Sequence, residues 1–184
     1  MFEKPSRHSR SLIAASAAAF GIGLAALGGI ALAAQDKYAV RVPNGLAFSE
    51  FRGYEKWQMV AASHTDNMVE VILANPAMIA TYQAGFPGDG EKVPDGAKMA
   101  KIHWNKTKNP EGFPISVPGT LHDVDLMAKD SKRFTDSGGW GYAQFNYDTA
   151  SDSFTPLGTG AQCGYACHTM AAAKDYVFTA FPKR

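Results

Sequence analysis

From residue 35 onward, the chain alternates between short apolar segments and residues that favour turns. Apolar side chains that recur at every second position predict strands, and β-branched or aromatic residues strengthen that prediction. By this pattern we expect strands over residues 56–65, 67–73, 97–104, 120–128 and 139–147. The Asn75-Pro76 pair predicts the start of a helix, because proline fits the first helical turn. That helix should run to Gln83 and stop at Gly85.

Glycine and proline mark the connections between these elements. Three glycines and two prolines in residues 86–96, and three prolines in residues 109–119, predict two loops. We expect a third loop over residues 148–162, helical turns over 129–134 and 168–173, and an extended piece over 176–180. About five strands with few, short helices indicate a single-domain α+β fold built on an antiparallel sheet.

The N-terminal segment differs in composition from the rest of the chain. Residues 1–10 carry three basic residues and one acidic residue, whereas residues 12–34 carry no charge and end in the small-x-small pattern Ala31-Leu32-Ala33. These features predict a secretory signal peptide over residues 1–33, cleaved near Ala33/Ala34, and a periplasmic domain over residues 34–184. The alternative is an uncleaved membrane anchor, since about 20 apolar residues can span a bilayer.

Length and charge limit the classes of protein that the chain can represent. With 184 residues it has room for one ordinary domain. Its formal net charge is +1, whereas nucleic-acid-binding proteins usually carry a pronounced basic patch. We therefore expect no nucleic-acid partner.

The segment Cys163-Gly164-Tyr165-Ala166-Cys167-His168 carries the most informative chemistry. Haem c is attached through two cysteine thioethers, and a histidine directly after the second cysteine lies under the iron. Cys167-His168 meets this requirement. The usual motif has two residues between the cysteines and this segment has three, so the extra residue must bulge outward; Gly164 supplies backbone freedom for that bulge.

Two other roles for the cysteines stay open at this point. A disulfide between Cys163 and Cys167 is chemically possible in an exported protein, although so small a loop stabilises the fold by only about 2 kcal/mol. A structural zinc site is less well supported, because it requires four ligands and this segment offers three with His168.

Five further segments carry a family resemblance. They are Tyr54-Glu55-Lys56-Trp57-Gln58-Met59-Val60, Pro94-Asp95-Gly96 with the strand that contains Lys101, Lys129-Asp130-Ser131-Lys132-Arg133-Phe134, Trp140-Gly141-Tyr142, and Cys167-His168 followed after six residues by Asp175-Tyr176-Val177-Phe178-Thr179. In order and spacing, these segments resemble the cytochrome P-460 family, whose members are small exported haem c proteins. The resemblance extends from about Gly45 to Pro182.

The resemblance implies one covalently attached haem c per chain, with thioethers to Cys163 and Cys167 and the iron held by His168. It also implies roles for two other residues. Lys101 occupies the position of a lysine that is covalently linked to the haem macrocycle in cytochrome P-460. Asp125 occupies the position of a glutamate in the distal pocket, and its side chain is one methylene shorter.

A cross-link at Lys101 requires that this side chain and the haem lie on the same face of the strand. Alternation along residues 97–104 puts Met99, Lys101 and His103 on one face of the strand, and Ala100 and Ile102 on the other. We expect the haem to lie against the first face. The lysine must also be neutral to react, although its ordinary pKa is about 10.4. The alternative is a surface lysine.

Two functions follow from the resemblance, and they differ in class. In the first, the protein oxidises hydroxylamine or a related nitrogen oxide at an open iron, with Asp125 and Lys101 as catalytic residues and a soluble cytochrome as electron acceptor. In the second, it binds nitric oxide or carbon monoxide without turnover, as the related cytochromes c-prime-beta do. A haem-free exported domain with a disulfide is a third possibility. The resemblance also implies a homodimer.

Overall fold

A computed structural model of the protein describes residues 35–43, 45–88, 90–157 and 164–183. The predicted signal peptide of residues 1–33 and the predicted haem-attachment residue Cys163 lie outside these ranges. Among the described residues, no helix is both long enough and apolar enough to cross a membrane.

Strands that follow one another in sequence are also neighbours in a six-stranded antiparallel sheet. The strands are β1 (Gln58–His64), β2 (Met68–Ala74), β3 (Lys98–Lys108), β4 (Ser116–Lys129), β5 (Trp140–Asp148) and β6 (Ser153–Pro156). The predicted α+β fold with an antiparallel sheet and few short helices is confirmed. The sheet has six strands where the sequence pattern predicted about five.

The predicted helix is α1 (Pro76–Gln83), which connects β2 to β3. Asn75 caps its first turn, because the Asn75 side-chain oxygen accepts hydrogen bonds from the backbone nitrogens of Met78, at 3.1 Å, and Lys98, at 3.0 Å. The same residue thus starts the helix and fastens it to the beginning of β3. After the helix the chain turns at Gly85, whose φ of 111° is accessible to glycine.

Three predicted connections differ from the structure. β4 begins at Ser116, inside the predicted loop, and Pro118 pairs with Lys106 next to a shift in strand register, where a proline is tolerated. The predicted loop over residues 148–162 contains β6. The predicted helical turn over residues 129–134 is wrong at its start, because Lys129 is the last residue of β4 and hydrogen-bonds to Ala97.

Alternation along β3 and its neighbours separates two cores on the two faces of the sheet. The first core packs Ala100, Ile102 and Leu126 against Phe48 and other aromatic residues of the N-terminal segment. The second core lies on the opposite face and joins three groups of residues. These are Met99, Met127 and Tyr142 of the sheet, Met78, Ile79 and Tyr82 of α1, and Val177 of the C-terminal segment. The faces of β3 are those that the sequence predicted.

Candidate functional site

A cavity of about 250 Å³ opens on the second face of the sheet, between β3, β4, β5 and the C-terminal segment. Its apolar lining is formed by Ile72, Met99, Met127, Val177 and Phe178. Its polar lining includes Lys101, Asp125, Tyr142 and His168. Three residues singled out in the sequence therefore share one cavity: Lys101 and Asp125 from paired strands, and His168 from the C-terminal segment.

His168 is the last residue of α2 (Ala166–His168), which continues as the 3₁₀ helix Thr169–Lys174. Its ring nitrogen Nδ1 donates a hydrogen bond to the carbonyl oxygen of Tyr176, at 2.6 Å. Its ring lies 5.0 Å from that of Tyr142 and 5.1 Å from that of Phe178. Burial and the Lys101 charge lower the pKa of His168 below its ordinary value, although the hydrogen bond to the Tyr176 carbonyl opposes them, and this shift favours the neutral imidazole. With Nδ1 engaged, Nε2 is the nitrogen that can bind a metal.

The carbonyl that orients His168 belongs to a constrained turn. Asp175 and Tyr176 both have positive φ angles, 46° and 65°, which are uncommon for residues other than glycine. Buried interactions hold this turn. The Asp175 carboxylate forms an ion pair with Lys129 at 2.8 Å. The backbone carbonyl of Asp175 accepts a hydrogen bond from Nε1 of Trp140, also at 2.8 Å. Asp175 and Lys129 are therefore positioning residues for the His168 ring.

Lys101 lies in the cavity wall and forms an ion pair with Glu70 of β2, at 2.8 Å between Nζ and Oε2. Burial raises the pKa of Glu70, but hydrogen bonds from Lys101 and Ser63 more than offset this, so that the pKa lies below its ordinary value. Glu70 is therefore a carboxylate, and Lys101 is its ion-pair partner in the cavity wall. The sequence did not single out Glu70.

In the register of the sheet, Asp125 of β4 lies opposite Lys101 of β3. Its Oδ1 atom is buried and has no hydrogen-bond partner among the described residues, while the rest of the side chain remains partly exposed to the cavity. Burial raises the pKa of Asp125 to about 6, against the opposing charges of His103 and Lys101. The carboxyl can therefore gain or lose a proton close to neutral pH, as a general acid or base requires.

The histidines His103 and His122 are joined through Asp123. His103 and His122 each use Nδ1 to form a short hydrogen bond with one of the two carboxylate oxygens of Asp123. Nδ1 of His103 also lies 4.0 Å from Asp125. His103, Asp123 and Asp125 form a compact group, with one potential ligand atom from each within 4.8 Å of the others. In the sequence, the alternation of side chains puts Lys101 and His103 on one face of β3, and Asp123 and Asp125 on one face of β4. This alternation is the sequence signal that could have indicated the group.

Comparison with known protein families identifies the chain's relatives. The sequence model of the Cytochrome P460 family matches residues 51–179, which is most of the chain. The chain belongs to the cytochrome P460 family. The expected resemblance is thereby confirmed, and the family implies a haem cofactor. A comparison of the chain with curated protein sequences found no match.

The cavity of this cytochrome P460 chain fits a haem in four respects. The apolar walls suit a flat macrocycle, and the neutral imidazole of His168 has Nε2 free for iron. Asp125 Oδ1 and the hydroxyl of Tyr142 are buried polar atoms that lack partners among the described residues. A Cβ atom added to Gly164 would lie 2.4 Å from Tyr142 Cγ, so position 164 requires glycine to pack closely against the cavity wall.

Of the two cysteines, the structure describes Cys167. Cys167 is exposed and lies directly before His168 in α2. Cys163 lies outside the described residues.

Proposed function

We propose that this cytochrome P460 protein is an exported c-type haem protein that oxidises hydroxylamine or a related nitrogen oxide in the cavity described above. One haem per chain would be attached through thioethers to Cys163 and Cys167. His168 would hold the iron through Nε2, in an orientation fixed by the Tyr176 carbonyl. When bound, the haem supplies a redox-active iron that can accept electrons from a small nitrogen compound.

The observation that carries this proposal is the position and the pKa of Asp125. Oxidation of hydroxylamine releases protons as well as electrons, and a base close to the substrate is needed to take them. Asp125 lies in the cavity wall with a pKa of about 6, so at neutral pH it is largely a carboxylate that can accept a proton. Asp125 is the only carboxyl side chain among the described residues that line the cavity.

A second candidate is a non-catalytic haem protein that binds nitric oxide or carbon monoxide. The Lys101–Glu70 ion pair favours it, because an ammonium held at 2.8 Å from a carboxylate is not a nucleophile towards a macrocycle. In that case the cavity would hold the gas between apolar side chains, and Lys101 would stay unmodified. The covalent state of Lys101 therefore discriminates between the two functions.

The proposal extends to location and partners. We propose a periplasmic protein that passes electrons to a soluble cytochrome. We also propose a homodimer, since β1 and β6 are the two edge strands of the open sheet and edge strands are commonly covered.

Substitution of Asp125 tests the catalytic role directly. In the haem-loaded protein, hydroxylamine oxidation should rise with pH through about 6, because only the deprotonated carboxyl accepts a proton. Asp125→Asn removes the acceptor at every pH, and we expect turnover to fall about 100-fold. The measurement is steady-state oxidation with an artificial one-electron acceptor between pH 5 and pH 8.

Asp125→Glu serves as the matched control, because it keeps a carboxyl group and should retain most of the turnover. Equal rates for the wild type and Asp125→Asn across the pH range would contradict the role of Asp125. Absence of turnover in the wild type would favour the gas-binding candidate.

A further inference from the structure

Asp125 is the cavity end of a row of four titratable residues that runs to the surface, and its side chain, 41% exposed, opens into the cavity that the haem would occupy. Nδ1 of His103 lies 4.0 Å from Asp125 Oδ2 and is hydrogen-bonded to Asp123 Oδ1. The second oxygen of Asp123 is hydrogen-bonded to Nδ1 of His122. His103 and Asp123 are 6% and 3% exposed, whereas the side chain of His122 is 43% exposed. The row therefore connects a cavity group to solvent through two buried residues.

A β-bulge creates the outer end of this row. In the pairing of β3 with β4, His103 faces Asp123 and the next residue, Trp104, faces Leu121, which leaves His122 as an extra residue in β4. A bulge re-aims the side chain of the extra residue. Here the ring of His122 turns back onto Asp123, the residue next to it in the chain, while still reaching solvent.

Charged groups around the row favour an imidazolium at its centre. Burial lowers the pKa of His103. Asp123 has a larger, opposite effect through its hydrogen bond and its negative charge, so the pKa of His103 lies above its ordinary value. On the other side, Nε2 of His103 lies 3.7 Å from Glu70 of β2, which also holds Lys101. From β5, the uncharged residues Gln144 and Asn146 face Asp125 and Asp123 in the sheet register.

We propose that His103, Asp123 and His122 form a proton path that carries protons from Asp125 to solvent during turnover. The inference rests on the proposed oxidation of a nitrogen compound that releases protons into the cavity. The path moves protons only. The electrons leave separately, to the oxidised soluble cytochrome of the proposed function.

The path can be written as balanced transfers, with one proton entering and one leaving. Asp125 takes a proton from the substrate. The His103 imidazolium gives its Nδ1 proton to Asp123, and the freed Nδ1 accepts the proton from Asp125. His122, whose Nδ1–H donates to the Asp123 carboxylate at the start, exchanges with water to its Nε2–H tautomer, which leaves Nδ1 unprotonated. A half-turn of the Asp123 carboxyl group brings its proton to Nδ1 of His122, which accepts it, and His122 releases its Nε2 proton to water. At the end each side chain has its original charge, and His122 is again the Nδ1–H tautomer.

Two measurements on the haem-loaded protein test the path, and His64→Gln is the matched control for His122→Gln. His64 is also an exposed histidine, at the end of β1, and its Nδ1 contacts a backbone carbonyl instead of a carboxylate. The first measurement is hydroxylamine turnover. The second is the rate at which the ring N–H protons of His103 exchange with water, followed by NMR of ¹⁵N-histidine-labelled protein in its diamagnetic ferrous carbon-monoxide form.

We expect His122→Gln to slow both turnover and His103 N–H exchange about tenfold, and His103→Gln to lower turnover about 100-fold. His64→Gln should leave both rates unchanged. Added imidazole should restore turnover in His122→Ala, because a diffusible base replaces the missing outer group. A merely structural role of His122 would not respond to imidazole.

The outcomes separate the path from the proposed function. Slower exchange in His122→Gln without any wild-type turnover would support the path and reject hydroxylamine oxidation. Wild-type turnover with unchanged exchange and unchanged turnover in His122→Gln would reject the path and leave the oxidation intact. Equal slowing in His64→Gln would also reject the path, because the effect would then not depend on contact with Asp123.

Discussion

The His168→Ala variant should take up haem poorly and should lack the native iron spectrum. His168 directly follows Cys167, and its ring projects into the cavity with Nδ1 committed to the Tyr176 carbonyl. Loss of the imidazole therefore removes the proposed iron ligand and leaves an apolar space in its place. The measurement is the absorption spectrum and the haem content of the purified variant beside the wild type.

His122→Ala is a suitable control, since it removes a histidine that lies outside the cavity lining and should leave the spectrum unchanged. Imidazole added to His168→Ala should restore part of the native spectrum by occupying the vacated space. If His168→Ala keeps the wild-type spectrum, another residue ligates the iron and the assignment of His168 is wrong.

Lys101→Ala has the second large expected effect. If Lys101 is linked to the macrocycle, the wild-type bands should be shifted well away from those of ordinary haem c. Lys101→Ala should then return an ordinary spectrum and abolish hydroxylamine oxidation, while leaving the thioether attachment intact. A haem peptide isolated from the wild type should carry Lys101 as well as the two cysteines.

The ion pair with Glu70 opposes formation of the cross-link, because the Lys101 amine must lose its proton before it can form a bond with the macrocycle. Lys108→Ala is the control: this exposed lysine is the last residue of the same strand and lies outside the cavity lining. An ordinary haem c spectrum in the wild-type protein would reject the cross-link. It would leave the gas-binding candidate in place of the enzyme.

Local sequence signals were sufficient for the elements that depend on local interactions. Asn75 and Pro76 define the start of α1 through a cap and a fixed backbone angle, and both effects are visible in the sequence. The sequence did not predict β6 or the first part of β4. Their residues locally favour loops, and hydrogen bonding to the neighbouring strands β5 and β3 makes them strands. Pro118 is tolerated in β4 beside a register shift, which only the neighbouring strand reveals.

The site shows the same division between local and long-range information. Lys101, Asp125 and His168 were singled out from the sequence, and the structure brings all three to one cavity. Glu70, His103 and Asp123 were missed as a group. They come from three strands, and their contacts depend on the registers Glu70↔His103 and His103↔Asp123. A shift of one residue in either register would turn these side chains to the other face of the sheet.

The central claim is that the cavity belongs to a haem attached covalently through Cys163 and Cys167. Intact-mass determination tests it most directly, on protein co-expressed with haem-attachment machinery and purified under denaturing conditions. We expect the mass of the chain without residues 1–33 plus one haem. A mass that fits two free thiols, or one disulfide, would contradict it.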